Sequence, residues 1–112
     1  MFNQTKNKTI VSKLSVADNF KTRAQGLIGR SSMEDSEGIW FPNSNWIHTW
    51  FMSMPIDVIY LNKQMQVAKL QPGLKPWRLP APVFKASSVL EVTSGFIEQN
   101  EIQLGDKFHV GD

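Results

Sequence analysis

The chain has 112 residues and a mass of 12.7 kDa, enough for one hydrophobic core and too little for two or for a large scaffold such as a TIM barrel. It contains no cysteine, which excludes disulfides, thiol nucleophiles and thiolate metal ligands. Its formal net charge is +2, with no basic cluster of the kind that binds nucleic acid and no apolar run long enough to span a membrane.

The amino-terminal residues lack the apolar segment of a signal peptide, so we expect a cytoplasmic protein. An envelope or periplasmic location is the alternative if a precursor has been trimmed. We predict that residues 1–7 form a disordered leader. No repeat, linker or low-complexity stretch follows, so we expect residues 1–112 to form a single domain and the protein to be a monomer.

A strand over residues 9–14 and a helix after it are the first predicted elements. The segment Ser15-Val16-Ala17-Asp18 resembles a capping box, with aspartate in place of the usual glutamate. Glycines 26 and 29 are expected to end the helix, because glycine readily adopts the left-handed conformation found at helix ends. The apolar residues at helical spacing are Val16, Phe20, Ala24 and Leu27.

The rest of the chain has the pattern of β structure. Residues 46–52 and 56–61 are apolar on both faces of an extended chain, which predicts central strands covered on both sides. About seven short strands with one amino-terminal helix predict a mainly β (α+β) fold, a small closed or nearly closed barrel or sandwich. The other predicted strands cover residues 38–41, 66–70 and 86–93, and residues 102–110 predict a strand, a turn and a final strand.

Four of the six prolines fall within residues 72–82, where they exclude a central strand and a regular helix. The segment therefore reads as a long loop that contains the apolar residues Leu74, Trp77 and Leu79. Ordered loops of this kind often bind ligands. The alternative is a structural strap that covers one end of the core.

Two carboxylates fall on apolar faces of predicted strands, Asp57 beside Ile59 and Glu91 beside Val89. Burial of either would require a partner, and arginine suits a bidentate contact with a carboxylate. We therefore expect Arg23 or Arg30 to pair with Asp57 or Glu91. The pair either pins the helix to the sheet or forms part of a ligand-binding or catalytic site.

His48 stands between Trp46 and Trp50 on one face of its predicted strand. It is either a packing residue or a member of a site. No metal site is expected, because His109 is the only other histidine and there is no cysteine. No nucleophile elbow or phosphate-binding loop is present, and no cofactor is expected.

Several of these segments together resemble the DUF192 family. They are residues 23–30, the block 47–61, residues 86–92 with Gly95, and the late Gly105-Asp106. Ile28 and Ser53 are the small departures from the family pattern. The resemblance implies a mostly β domain of bacteria and archaea without an established role, many of whose relatives carry an export signal or lipid anchor. The family signature would fall on Arg23, Gly26, Arg30, His48, Asp57 and Glu91.

Three functions remain open at this point. The first is a non-enzymatic module that binds a peptide, a protein or a small polar ligand through His48, the neighbouring tryptophans and the proline-rich loop with Trp77. The second is a small enzyme with His48 as acid or base. The third is a structural accessory domain near the cell envelope. The candidate ligand-binding residues are Arg23, Arg30, His48, Trp50, Asp57, Trp77 and Glu91.

Overall fold

A computed structural model describes residues 1–17, 32–47 and 53–111. The strands in chain order are β1 (Phe2–Asn3), β2 (Lys8–Thr9), β3 (Lys13–Val16), β4 (Glu37–Pro42), β5 (Ile56–Leu61), β6 (Val67–Leu74), β7 (Ser88–Thr93) and β8 (Phe108–His109). A four-residue helix, α1 (Phe96–Gln99), lies between β7 and β8. Within the described residues no helix is long and apolar enough to cross a membrane.

The strands form two sheets. The larger has the order β3-β4-β7-β5-β6, with β3 parallel to β4 and the other neighbours antiparallel, and the smaller has the order β2-β1-β8. The mainly β prediction is confirmed. The closed barrel is not, because the outer strands β3 and β6 of the larger sheet are not paired with each other in the described chain.

Strand β5 lies inside the larger sheet and is buried at all six positions, as its two-sided apolar pattern predicts. Because side chains alternate along a strand, the sheet has a first face with Ile56, Val58 and Tyr60 and a second face with Ile59 and Leu61. Ile39, Phe41 and Val89 extend the first cluster. The second cluster includes Met1, Val11, Leu90, Val92, Phe96, Ile102 and Phe108.

The smaller sheet covers the second face and joins the two ends of the chain. Asn3 is fully buried, and its Nδ2 donates to Oδ2 of Asp106 at 3.1 Å. The same Asp106 oxygen accepts from the backbone N of Gln103, and Lys6 Nζ lies 3.4 Å from Oδ1. Residues 1–7 are thus ordered here, in contrast to the predicted leader, because a buried hydrogen-bond network fixes them.

Several predicted boundaries are also corrected. Ser15 and Val16 belong to β3, so the predicted helix does not begin at Ser15, and the rest of it, from Asp18, lies outside the described residues. Trp46 and Ile47 are not in a strand. Strand β6 continues through Pro72 to Leu74, which a proline tolerates because β6 is an outer strand with one paired neighbour.

Candidate ligand-binding site

The connection between β6 and β7, residues 75–87, is called the strap. It contains prolines 76, 80 and 82, and three hydrogen bonds fasten it to residues 44–46. Trp46 Nε1 donates to the carbonyl of Pro80 at 3.0 Å. The backbone N of Val83 donates to the carbonyl of Asn45 at 2.9 Å, and that of Ser44 donates to the carbonyl of Ser87 at 3.0 Å. The strap is therefore an ordered surface.

A pocket of about 440 Å³ opens between the end of the strap and the loop that follows β4. The described residues that line it carry amide, hydroxyl or apolar side chains and no formal charge. They are Asn43, Ser44, Asn45, Trp46, Ala86 and Ser87. The volume lies within the usual range of small-molecule sites. The lining favours a neutral ligand that makes hydrogen bonds.

Trp46 forms an aromatic wall of this pocket. Its side chain is 42% exposed, while its indole N–H is already bonded to Pro80. Ser44 Oγ donates to the carbonyl of Trp46 at 2.9 Å, which fixes the backbone at this position. The ring is therefore held in place and has an apolar surface available for contact, with little rotamer entropy left to lose on binding.

Ser87 is a further lining residue of the pocket. Its Oγ is buried, and no residue in the described part of the chain makes a hydrogen bond to it. Unpaired buried hydroxyls are uncommon in folded proteins and often mark a site of ordered water or ligand. The structure thus adds Asn45 and Ser87 to the residues beside the pocket, together with Trp46, one of the tryptophans that flank His48 in the sequence.

Asp57 lies on the second face of the larger sheet and is 1% exposed. Its Oδ1 accepts from the backbone N of Gly73 at 2.8 Å, and its Oδ2 accepts from the backbone N of Ile97 at 2.9 Å. These bonds tie β5 to the end of β6 and to α1. Asp57 therefore positions the chain just before the strap and does not line the pocket.

Glu91 lies on the first face, is 4% exposed and pairs in register with Val58. Burial raises the pKa of its carboxyl group from 4.5 to about 8, so the side chain is mostly neutral at pH 7. Burial also raises the pKa of Tyr60, and the nearby Glu91 raises it further. The two predicted carboxylates therefore lie on opposite faces of one sheet.

Arg23, Arg30, His48 and Trp50 lie outside the described residues, so the arginine pairing and the His48 site stay predictions. The described residues that flank these two segments belong to the cluster on the first face: Ala17, Met33, Ile47 and Met54. Glu91 shares that face and Asp57 does not. Of the two carboxylates, Glu91 is therefore the one on the same face as the ends of both segments.

Trp77 is 58% exposed on the strap and has a positive φ of 62°. Non-glycine residues with this backbone conformation store strain, and such residues cluster at functional sites. Trp46 is 42% exposed and is hydrogen-bonded to Pro80 of the same strap. In the described chain, no group of three or more histidine, aspartate and glutamate side chains is arranged to hold a metal ion.

These features define a small, mainly β protein with a neutral pocket beside a proline-rich strap. The sequence pattern of DUF192, a family described as an uncharacterised ACR, matches residues 1–110. The UPF0127 protein PF1050 of Pyrococcus furiosus is 36% identical over 112 residues, which cover 96% of this chain and 94% of that protein. The chain therefore belongs to the DUF192 family, and the predicted resemblance is confirmed.

Two further comparisons agree with this assignment. The UPF0127 protein PH1112 of Pyrococcus horikoshii is 33% identical over 110 residues, which cover 94% of this chain and 93% of that protein. A crystal structure of a protein of unknown function from Novosphingobium aromaticivorans has a TM-score of 0.81 at 22% identity and covers 94% of this chain and 79% of its own. At that identity the structural likeness shows the fold alone.

Proposed function

We propose that the protein is a non-enzymatic binding module whose ligand is a small, neutral, polar molecule held in the pocket beside the strap. The observation that carries this proposal is the state of Trp46. Its ring is exposed at the pocket while its only polar atom is bonded to Pro80. An aromatic ring presented in this way offers contact area to a ligand at low entropic cost.

The polar lining supports the same ligand class. Asn45 supplies an amide with two donors and an acceptor. Because the described lining has no charged side chain, an ionised ligand would lose hydration without gaining a paired charge. A molecule with several hydroxyl or amide groups and one apolar face, such as a sugar or a neutral dipeptide, matches this surface.

The test is a titration of isotope-labelled full-length chain with neutral mono- and disaccharides and neutral dipeptides, followed by amide and indole NMR signals. We expect a binding member of the panel to shift the indole signal of Trp46 and the amides of Ser44, Asn45 and Ser87. Asn45→Ala should weaken that binding several-fold. Asn62→Ala, in the turn between β5 and β6, is the matched control and should leave it unchanged.

Thermal unfolding of each variant is the check that its fold is retained. If no member of the panel perturbs the pocket signals at millimolar concentration, the proposal of a neutral ligand is wrong. Perturbation that survives Asn45→Ala and Trp46→Phe at full strength would likewise place the ligand elsewhere.

A further inference from the structure

The strap exposes large apolar side chains beside cations at two bends. Phe84 is 92% exposed and precedes Lys85, and Trp77 is 58% exposed and precedes Arg78. Phe84 and Lys85 are the central residues of a turn closed by the backbone N of Ala86, which donates to the carbonyl of Val83 at 3.0 Å. The aromatic ring therefore projects at the tip of an ordered turn with almost no protein around it.

The stretch of sequence that includes the strap contains no acidic residue. From residue 58 to residue 90 the chain has no aspartate or glutamate, and three of its cations, Lys75, Arg78 and Lys85, are on the strap and exposed. The net charge of the whole chain is only +2, so positive charge is concentrated on the strap relative to the rest of the chain. The charge of the strap is complementary to that of an anionic partner.

We propose that the strap docks on an anionic phospholipid bilayer, with Phe84, Trp77 and Leu79 entering the interfacial layer and the neighbouring cations contacting the headgroups. Aromatic side chains favour the membrane interface, and cations next to it are attracted by anionic lipid. Leu79 is 53% exposed between the two bends and adds apolar area. This docking is independent of the ligand proposed for the pocket.

The exposure of Phe84 favours a bilayer over a folded partner or a nucleic acid. A peptide groove holds aromatic rings in a concave wall, and a base-stacking platform holds them flat against the protein. A ring that is 92% exposed at the tip of a turn has neither kind of support. A bilayer is fluid and accepts an inserted side chain without a complementary shape, so the protein need only hold the turn outward.

The strap holds the turn of Phe84 outward. Its prolines limit the backbone, and the bonds of Pro80 and Val83 to residues 45 and 46 anchor it on the body of the protein. The anchors at Pro80 and Val83 hold the backbone just before the turn that carries Phe84. An exposed apolar tip that is held in this way is characteristic of an interaction surface.

The test is co-sedimentation of the full chain with phosphatidylcholine vesicles and with vesicles that are half phosphatidylglycerol. We expect binding to the anionic vesicles, several-fold weaker binding at high salt, and little binding to the neutral ones. Phe84→Ser and Lys85→Glu should each weaken binding several-fold. Their matched controls are Leu104→Ser, an exposed leucine remote in sequence from the strap, and Lys63→Glu, a turn lysine between β5 and β6.

Phe84 is almost fully exposed, so its substitution should leave the thermal midpoint unchanged, and a loss of binding then reports on the surface itself. The proposal is overturned if anionic vesicles do not bind, or if the control variants weaken binding as much as the strap variants. It is also overturned if a single-stranded oligonucleotide or an acidic peptide competes the protein off the vesicles and uses the same Phe84 and Lys85.

Discussion

The carboxyl groups of Asp57 and Glu91 point to opposite faces of the same sheet, although Glu91 pairs in register with Val58, the residue next to Asp57. Asp57 has two backbone N–H donors on its carboxylate, whereas burial leaves Glu91 mostly neutral at pH 7. The two acids therefore have different effects on stability, and each effect can be measured.

Replacing Asp57 should destabilise the fold strongly. In Asp57→Asn one of the two backbone donors, Gly73 N or Ile97 N, would face an amide NH₂ group, because only one side-chain oxygen remains. We expect a loss of roughly 2–4 kcal/mol of unfolding free energy, measured by denaturant titration. Asp35→Asn, at an exposed turn residue, is the control and should change little. Equal effects of the two substitutions would contradict this role for Asp57.

Glu91 should make the protein less stable as pH rises. Its pKa is about 8 in the folded state against 4.5 for an ordinary glutamate, so the folded state binds the proton more tightly than the unfolded state. By linkage, the stabilising effect of this proton is fully present below about pH 4.5 and is lost as pH rises through about 8.

Glu91→Gln removes the carboxyl group that titrates. The variant should therefore lose less unfolding free energy than the parent protein between pH 4.5 and about 8. Above pH 8 the variant should be the more stable protein, by roughly 2–5 kcal/mol. The measurement is the unfolding free energy as a function of pH, with Glu98→Gln on the exposed side of α1 as the control. A parent protein and a Glu91→Gln variant with the same pH dependence would show that Glu91 is not buried in this way.

Gly38 should not tolerate a side chain, because Val11 passes directly over it. A Cβ at this position would lie 3.1 Å from both methyl carbons of Val11 and 3.3 Å from Leu90 Cδ1. We expect Gly38→Ala to cost roughly 1–3 kcal/mol. In a double-mutant cycle, Val11→Ala should relieve part of that cost. Strict additivity of the two substitutions would argue against the contact.

Asp106 should be needed for the pairing of β1 with β8. Its carboxylate accepts from Asn3 Nδ2 and from the backbone N of Gln103, and Asp106→Ala removes both bonds and leaves the buried Asn3 amide without this acceptor. We expect a loss of roughly 2–4 kcal/mol and faster hydrogen exchange in residues 2–3 and 108–109. Gln103→Ala, which keeps its backbone donor, is the control. Unchanged exchange in both strands would contradict this role.

Strand β5 and the strap could be predicted from sequence because each has a strong local signal. Five of the six residues of β5 are apolar and they cover both faces, which indicates a central strand. Prolines 76, 80 and 82 exclude regular structure from the strap, whereas Pro72 is tolerated in the outer strand β6. For Trp46 the same kind of local signal gave a wrong prediction. Its alternating neighbours predict a strand, but a hydrogen bond to distant Pro80 holds it in a loop, and no local pattern reports that bond.

The site was harder to predict for a related reason. The partners of Asp57 are backbone N–H groups, which any residue other than proline can supply, so no residue type in the sequence marks Gly73 or Ile97 as a better partner than an arginine. From the sequence, Asn45 is predicted to be a turn residue and Ser87 a strand residue, and only the fold brings both to one pocket. Phe84 carried a usable signal, since a large apolar residue next to a lysine in a proline-rich loop has no obvious place in the core.

The pairing of β1 with β8 affects how the chain folds as it is made. Asn3 bonds to Asp106, so the ribosome must synthesise the more than one hundred residues between them before this sheet can close. Contacts between such distant residues slow folding, because a long loop has to be closed before any free energy is gained. Until β1 and β8 pair, Phe96, Ile102 and Phe108 are not yet packed in their hydrophobic cluster. At this stage the nascent chain is most prone to aggregate and most accessible to chaperones.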